Sequence, residues 1–312
     1  MFKLMEIYLV FYLLLILFIY YLYNLYDRTH FIIENFEDKY GQNEIYKDTY
    51  DKEIVNFYDI IYKDDDYEKE VLKFIDKELD GNNEANILLV GCGKGSLLNK
   101  IKNKYKNTHG LDKSENMLKK CHENYPYIKT IKANIEKEKL FDNNSYDLII
   151  FDDNTLNYNN NKSIKKIAKN IKNYLKKNGI LFIPIFEEKK LQPRPRYYTT
   201  NYFDDKKNIH GFTYINNFSH DCYYIKTQEN ENNGYNFNYF DKIVLKNNNS
   251  RIKNTPLYIP EKQDFYEIFL KNGYNIKKIH HQDDFSKIYY EVAILKIGPS
   301  TVNVEDIDKE VN

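Results

Sequence analysis

The chain has 312 residues, room for one large domain or two small ones and for a substantial core. Lys+Arg and Asp+Glu both total 46, so the formal net charge is zero and a general nucleic-acid coat protein is excluded, while 42% hydrophobic residues place the chain among globular proteins rather than disordered ones. The three cysteines, Cys92, Cys121 and Cys222, form no C-x-x-C pair, which argues against a disulfide framework and against a zinc site, so no metal is expected.

Ile7–Tyr26 is a run of twenty residues without a charge. At 1.5 Å per residue such a run is about 30 Å long, the thickness of a bilayer's hydrocarbon core. Residues 4–26 are therefore expected to form an uncleaved, single-pass membrane anchor, with Tyr20, Tyr21, Tyr23 and Tyr26 as a belt at one interface. A cleaved signal peptide would have a shorter apolar run and small residues at its end. Lys3 on one side and Arg28 and Lys39 on the other leave the orientation tied. Residues 27–48 are polar and without period, so they read as a tether to a domain over 49–298.

From Tyr50 to Leu79 apolar residues recur at three and four, which predicts helix with a break at Asp64–Asp66 and a stop at Gly81. Short β runs then alternate with amphipathic helices. Strands are expected at 86–90, 108–111, 128–132, 147–152 and 179–184, and helices at 96–105, 115–124 and 163–176. Such alternation implies an α/β fold with a doubly wound, Rossmann-like parallel sheet. Within 190–258, strand-like runs at 212–218, 222–227, 235–246 and 251–258 between Asn/Gly/Ser turns predict an inserted antiparallel meander. A helix through Leu270 follows, then two runs, 275–281 and 287–297, expected to pair as an antiparallel hairpin at one side of the sheet. The tail, 299–312, is polar.

The most informative stretch is Val90-Gly91-Cys92-Gly93-Lys94-Gly95-Ser96, a buried strand running through G-x-G-x-G into a helix. Such a turn frees the main chain to approach a ligand at the strand's C-terminal end. A dinucleotide fingerprint would place its third glycine where Ser96 stands, which weakens a nicotinamide or flavin reading. Asp112 ends the second strand, where a carboxylate can accept hydrogen bonds from two ribose hydroxyls. Loop and carboxylate together point to a nucleoside ligand.

These segments resemble the class I S-adenosylmethionine-dependent methyltransferases. The matching elements are Val90–Gly95, Gly110-Leu111-Asp112-Lys113-Ser114, Ser145–Phe151 and Leu175–Leu181, so the resemblance covers the cofactor-binding core, 86–185. It implies a seven-stranded sheet and S-adenosyl-L-methionine as cofactor. It also implies that Gly91, Cys92, Gly93 and Gly95 hug the methionine part, that Asp112 holds the ribose, and that Lys113, Asn134 and Ile135 lie beside the adenine. Asn134 departs from the acidic residue that family members often carry there, yet its carboxamide oxygen can accept from the adenine amine. Phe57–Tyr62 resembles the tyrosine-bearing cap helix of small-molecule methyltransferases, which brings in Tyr58 and Tyr62.

Methyl transfer from a sulfonium is an in-line displacement, so alignment and a dry pocket supply much of the rate and no obligatory triad is expected. A nearby carboxylate, imidazole or phenol assists by taking the acceptor's proton. Asp152 and Asp153, at the tip of the fourth strand, are the first candidates, and Asp152 also lies against the cofactor; Tyr58, Tyr62 and His210 follow. Asp153-Asn154-Thr155 lacks the proline-containing tetrapeptide of DNA amino-methyltransferases, so nucleic acid is not the expected acceptor. Residues 197–240 hold eight Tyr and five Phe, well above the 16% aromatic content of the whole chain, enough to enclose a cationic or apolar substrate or simply to fill strand positions. Lys165, Lys169, Lys172 and Lys176 form a basic stripe that could meet lipid headgroups or water. The expectation is a membrane-tethered methyltransferase, its domain on the cytosolic side, acting on a small-molecule or lipid-like N or O acceptor. A cofactor-binding module without turnover and a nicotinamide-dependent oxidoreductase remain as alternatives; oligomeric state is left open.

Overall fold

The structure is a computed structural model and describes residues 12–21, 44–46, 50, 55, 58–59, 65–153, 155–186, 201–204, 207–215, 218–230, 234–245, 250–280 and 290–298. The chain divides into two compact units, one of 47–192, 224–239 and 254–312, the other of 1–46, 193–223 and 240–253.

The first unit holds a seven-stranded sheet. Its strands, numbered along the chain, are β2 (Asn86–Val90), β3 (Asn107–Asp112), β4 (Thr130–Lys132), β5 (Tyr146–Phe151), β6 (Leu175–Phe186), β12 (Tyr274–His280) and β13 (Tyr290–Ile297), in the order β12-β13-β6-β5-β2-β3-β4. The strands from β6 to β4 are parallel, and β13 joins β6 antiparallel with β12 on its far side. The terminal hairpin thus forms at one side of the sheet, as its sequence spacing predicts.

Both faces of the sheet are covered, which is why its strands read as continuous apolar runs. Leu88, Val90, Ile149 and Phe151 point to one side, where they pack with Ile164, Ile167 and Ile171 of helix α4 (Asn161–Tyr174) and Phe265 and Phe269 of helix α5 (Lys262–Lys271). Ile87, Leu89, Leu148 and Ile150 point to the other. There they meet Val71, Phe74 and Ile75 of helix α1 (Asp65–Leu79), Leu97, Leu98 and Ile101 of helix α2 (Ser96–Lys102), and Cys121 of helix α3 (Glu115–Asn124). Ser114 caps α3 by accepting from the Met117 N–H, and Asn160 caps α4 by accepting from the Ser163 N–H, at 3.3 and 3.0 Å. Lys165, Lys169 and Lys172 lie on the exposed face of α4, while Lys176 is drawn off to Asp147 at 2.7 Å.

The remaining strands form a six-stranded sheet of order β1-β11-β10-β9-β8-β7: β1 (Glu44–Tyr46), β7 (Asn201–Asp204), β8 (Lys207–Ile215), β9 (Phe218–Asn230), β10 (Gly234–Leu245) and β11 (Ser250–Pro260). From β7 to β11 each strand lies beside its neighbour in sequence, the meander expected here. Two strands were not expected. β7 pairs antiparallel with β8, and β1, inside the stretch read as a tether, pairs in parallel with β11.

Of the anchor expected over 4–26, residues 12–21 are described and the rest lies outside the described residues. They form helix with every side chain exposed. Among the described residues no helix is long and apolar enough to cross a membrane. The tail, 299–312, also lies outside the described residues.

Candidate active site

Strand β2 pairs in parallel with β3 on one side and with β5 on the other. The chain builds β3 and β4 outward, then crosses back to build β5 and β6 in the opposite direction. Connections leaving β2 and β5 therefore part at the strands' C-terminal ends, and a crevice opens there.

The glycine loop lies at this point. The Gly91 and Cys92 N–H groups both donate to the Leu111 carbonyl, at 2.8 and 3.2 Å, which fastens the loop to the tip of β3. Gly91, Gly93 and Gly95 have φ of +80°, +49° and +85°, a region that strains any residue with a Cβ. Space closes the same positions: a Cβ on Gly91 would lie 2.0 Å from Thr155 Oγ1, and one on Gly95 would lie 2.4 Å from Cys121 Sγ.

Asp112 points at the loop. One carboxylate oxygen accepts the Gly93 N–H at 2.9 Å and the other accepts the Ser114 N–H at 2.8 Å. Burial raises its pKa, and the Ser114 and Gly93 N–H groups and the Lys113 ammonium work against that rise. Each oxygen keeps a further lone pair, so the carboxylate can still accept from two neighbouring hydroxyls. Beside it Leu111, Met117, Ala133 and Ile135 give apolar walls for a flat base. Asn134 lines the same space, with one lone pair of its oxygen committed to the Glu136 N–H at 3.0 Å. The space between these residues opens to solvent.

Asp152 and Asp153 close the end of the crevice nearest β5. The Asp152 N–H bonds the Val90 carbonyl at 2.9 Å, and Asp153 sits at φ +42°. Tyr67 of α1, buried among the core residues, holds this turn: its oxygen accepts the Asp153 N–H at 3.0 Å and its hydroxyl bonds the Asp152 carboxylate. Burial, and then the charges of Asp153 and Glu68, push the Asp152 pKa well above the usual carboxylate range. A carboxylate so placed is a better proton acceptor than one in water. Glu68 is itself buried, beside the Ser96 hydroxyl at 3.1 Å and Lys100 at 2.5 Å.

Three tyrosines form the remaining wall. Tyr50 and Tyr158 share a hydrogen bond of 2.6 Å between hydroxyls, and the Tyr50 ring stands 6.0 Å from Tyr58 and 6.5 Å from Tyr158, edge to face. The Asn116 amide donates to the Tyr50 carbonyl at 3.0 Å, and the Lys113 ammonium lies 5.1 Å from the centre of the Tyr158 ring. Lys94, in the glycine loop and 6% exposed, pairs with Asp59 at 2.6 Å and so ties the Tyr58 segment to the loop. Burial holds the Tyr50 and Tyr58 hydroxyls well above the usual phenol range, with Tyr158 adding to the first and Asp153 to the second.

Of the residues expected from sequence, Gly91, Gly93, Asp112, Lys113, Asn134, Ile135, Asp152, Asp153 and Tyr58 line this space. Cys92 and Gly95 do not. The Cys92 thiol packs where a Gly110 side chain would stand, with its pKa raised by burial, and Gly95 turns toward Cys121, so both support the loop from behind. Burial favours the protonated form of the Tyr58 phenol. Tyr62 and the side chain of His210 lie outside the described residues. Sequence reasoning passed over Tyr50, Tyr67, Thr155 and Tyr158.

The fold and part of the sequence have counterparts among known proteins. The family described as "Methyltransferase domain" matches residues 87–179, the span from β2 into β6. No curated protein matches the sequence. Among solved structures the chain is similar to the CcbJ methyltransferase of Streptomyces caelestis, at 15% identity and a TM-score of 0.62, over 80% of this chain and 100% of that one. It is similar also to an S-adenosylmethionine-dependent methyltransferase of Clostridium acetobutylicum, at 18% identity and a TM-score of 0.57, over 79% and 98%. A third is SAM-bound CalS10 of Micromonospora echinaspora, an amino pentose methyltransferase, at 12% identity and a TM-score of 0.59, over 80% and 99%. Identities this low speak for the fold. Residues 87–179 match a methyltransferase domain, the seven-stranded sheet has the class I methyltransferase fold, and the chain is a methyltransferase enzyme.

Proposed function

We propose that this enzyme moves the methyl group of S-adenosyl-L-methionine to a small-molecule acceptor with an N or O nucleophile. The observation that carries the reading is the buried Asp112 carboxylate, bonded to the Gly93 N–H and facing the β2–β5 crevice with lone pairs to spare. Bound there, S-adenosyl-L-methionine supplies an electrophilic methyl group on a sulfonium. Asp112 would take the ribose hydroxyls, Leu111, Met117, Ala133 and Ile135 the adenine, and the main chain at Gly91 and Gly93 the methionine part, where a side chain on Gly91 would already meet Thr155. Asp152 and Asp153 line the β5 end of the same space and take the acceptor's proton. The three tyrosines exclude water on that side.

The apolar helix at 12–21, exposed along its whole length, supports the further reading that the enzyme is held at a membrane by its N-terminal residues, with its domain on the cytosolic side where the cofactor is made. Transfer of labelled methyl from S-adenosyl-L-methionine into small-molecule, lipid and protein fractions tests the reaction. Label in the small-molecule fraction is expected; an empty result in every fraction makes the chain a binding module. Flotation with liposomes tests the tether, and a chain that stays at the bottom of the gradient removes it.

A further inference from the structure

We propose that the exposed face of α4 docks on an anionic lipid surface, with Lys162, Lys165, Lys166, Lys169 and Lys172 meeting the headgroups. The choice of lipid as partner rests on the membrane reading of residues 12–21 and deepens it by naming a second contact and its chemistry.

Placement of charge is the first argument. Successive helical residues turn by about 100°, so the five lysines fall within an arc of about 120° and along about 15 Å of helix axis. All five are exposed, while Ile164, Ile167, Ala168, Ile171 and Tyr174 are buried on the opposite side. The sequence of α4 contains no Asp or Glu. Among the described residues none of the five lysines is in an ion pair, whereas the next lysine along the chain, Lys176, is held by Asp147 at 2.7 Å. Nearby, Glu267 of α5 is paired with Lys271. Glu138 and Asp142 share a shallow depression with Lys139 and Lys169, so the charge is mixed on that flank.

Repulsion within the helix is the second. Lys162 and Lys166, and Lys165 and Lys169, are like charges four residues apart; Lys162 and Lys165, Lys166 and Lys169, and Lys169 and Lys172 are like charges three apart. Such pairs weaken a helix. Lys162 also stands in the first turn, where the helix dipole favours a carboxylate. Helix α1 shows the opposite arrangement, with Lys69 paired to Asp66 at 3.3 Å and Lys73 to Glu70 at 2.6 Å. The repulsion in α4 is left without a counter-charge on the helix itself, and a negative surface relieves it.

The chemistry of the face selects the partner. A chain with no net charge has no overall field to hold nucleic acid, and this face has neither arginine nor an exposed aromatic ring, the groups that fork onto phosphates and stack on bases. Lysines spread over a convex helix face suit the diffuse charge of a bilayer, whose cytoplasmic leaflet is anionic. The helix also begins at the crevice: Asn159 lines it, Asn160 caps α4, and Lys162 is the second residue of the helix. Docking would therefore set headgroups beside the pocket proposed to hold the methyl donor.

Acetic anhydride labelling of the full chain, read lysine by lysine by mass spectrometry, tests the proposal on vesicles of phosphatidylcholine alone and on vesicles with a third of that lipid replaced by phosphatidylserine. Labelling of Lys162, Lys165, Lys166, Lys169 and Lys172 is expected to fall at least about threefold on the anionic vesicles relative to the neutral ones, and to recover at high salt. Lys69 and Lys73 of α1 should label equally on both. In the triple variant Lys162→Gln, Lys165→Gln, Lys166→Gln, the protection of Lys169 and Lys172 should largely disappear while adenosylhomocysteine binds as tightly as before. Equal labelling on the two kinds of vesicle, or protection that survives the three substitutions, would overturn the proposal. Protection by a single-stranded oligonucleotide in place of anionic lipid would overturn it too. Flotation of the same mixtures separates the two failures: a chain that floats with phosphatidylcholine but labels equally on both vesicles keeps the tether and loses the docking face, whereas a chain that floats with neither loses both.

Discussion

Gly91→Ala is the sharpest local perturbation of the crevice. Two costs combine at this position. At φ +80° an alanine sits in the left-handed region, worth roughly 1–2 kcal/mol. Its Cβ would also lie 2.0, 2.7 and 2.8 Å from Thr155 Oγ1, Cγ2 and Cβ, so turning the threonine rotamer cannot clear the overlap. Overpacking of this kind costs about 1–3 kcal/mol. The expected loss is about 2–5 kcal/mol, a large share of the roughly 5–15 kcal/mol that holds a domain. The chain has no tryptophan, so urea unfolding is best followed by far-UV circular dichroism, with adenosylhomocysteine titration beside it. A double-mutant cycle with Thr155→Gly separates the costs, and about 1–3 kcal/mol of favourable coupling should return because the overlap is gone while the strained φ remains. Unchanged stability in Gly91→Ala, or coupling within about 0.5 kcal/mol of zero, would refute the packing of the glycine loop on the turn after β5.

Tyr67→Phe removes the acceptor of the Asp153 N–H and the donor to Asp152, and should cost about 1–3 kcal/mol in urea unfolding along with weaker adenosylhomocysteine binding; a change under about 0.5 kcal/mol contradicts its role. For the Lys94–Asp59 pair the two removals should differ. Asp59→Asn leaves a 6% exposed ammonium without this partner and should cost about 1–3 kcal/mol, whereas Lys94→Met removes the buried charge itself and should cost less; the reverse order in unfolding midpoints would show that burial of Lys94 is not the controlling feature. Asp152 has its folded pKa raised above its unfolded value of about 3.9, so its contribution to stability is full below that pH and is lost as pH rises through the folded value. Cofactor-free protein should therefore lose stability from pH 4.5 to 7.5 more steeply than Asp152→Asn does, and equal slopes would contradict the buried carboxyl.

The core and the pocket's floor were legible because they answer to local signals. β2 at 86–90 and α3 at 115–124 fall where the apolar runs and turn residues place them, and the final hairpin follows from its spacing. Gly91, Gly93 and Asp112 were legible because a positive φ and a strand-end carboxylate leave marks in residue type. Such marks do not tell what a residue packs against: the Cys92 thiol lies where a Gly110 Cβ would stand, and a Cβ on Gly95 would meet Cys121. Tyr67 reads as one more apolar position of α1, since its hydroxyl's partner lies 86 residues away. Tyr50 and Tyr158 vanish in a chain with 31 tyrosines, and their partnership spans 108 residues. β1 is three residues long and owes its existence to β11, some two hundred residues on, so nothing local announces it.

Titration of the protein with adenosylhomocysteine and with its 2′,3′-dideoxy counterpart, in wild type and in Asp112→Asn, tests the nucleoside site most directly. Two hydrogen bonds to one buried carboxylate should make the hydroxyls worth at least about tenfold in affinity to the wild type and little to the variant. Equal affinity of the wild type for both ligands, or the same hydroxyl dependence in Asp112→Asn, would contradict the assignment of Asp112 to the ribose.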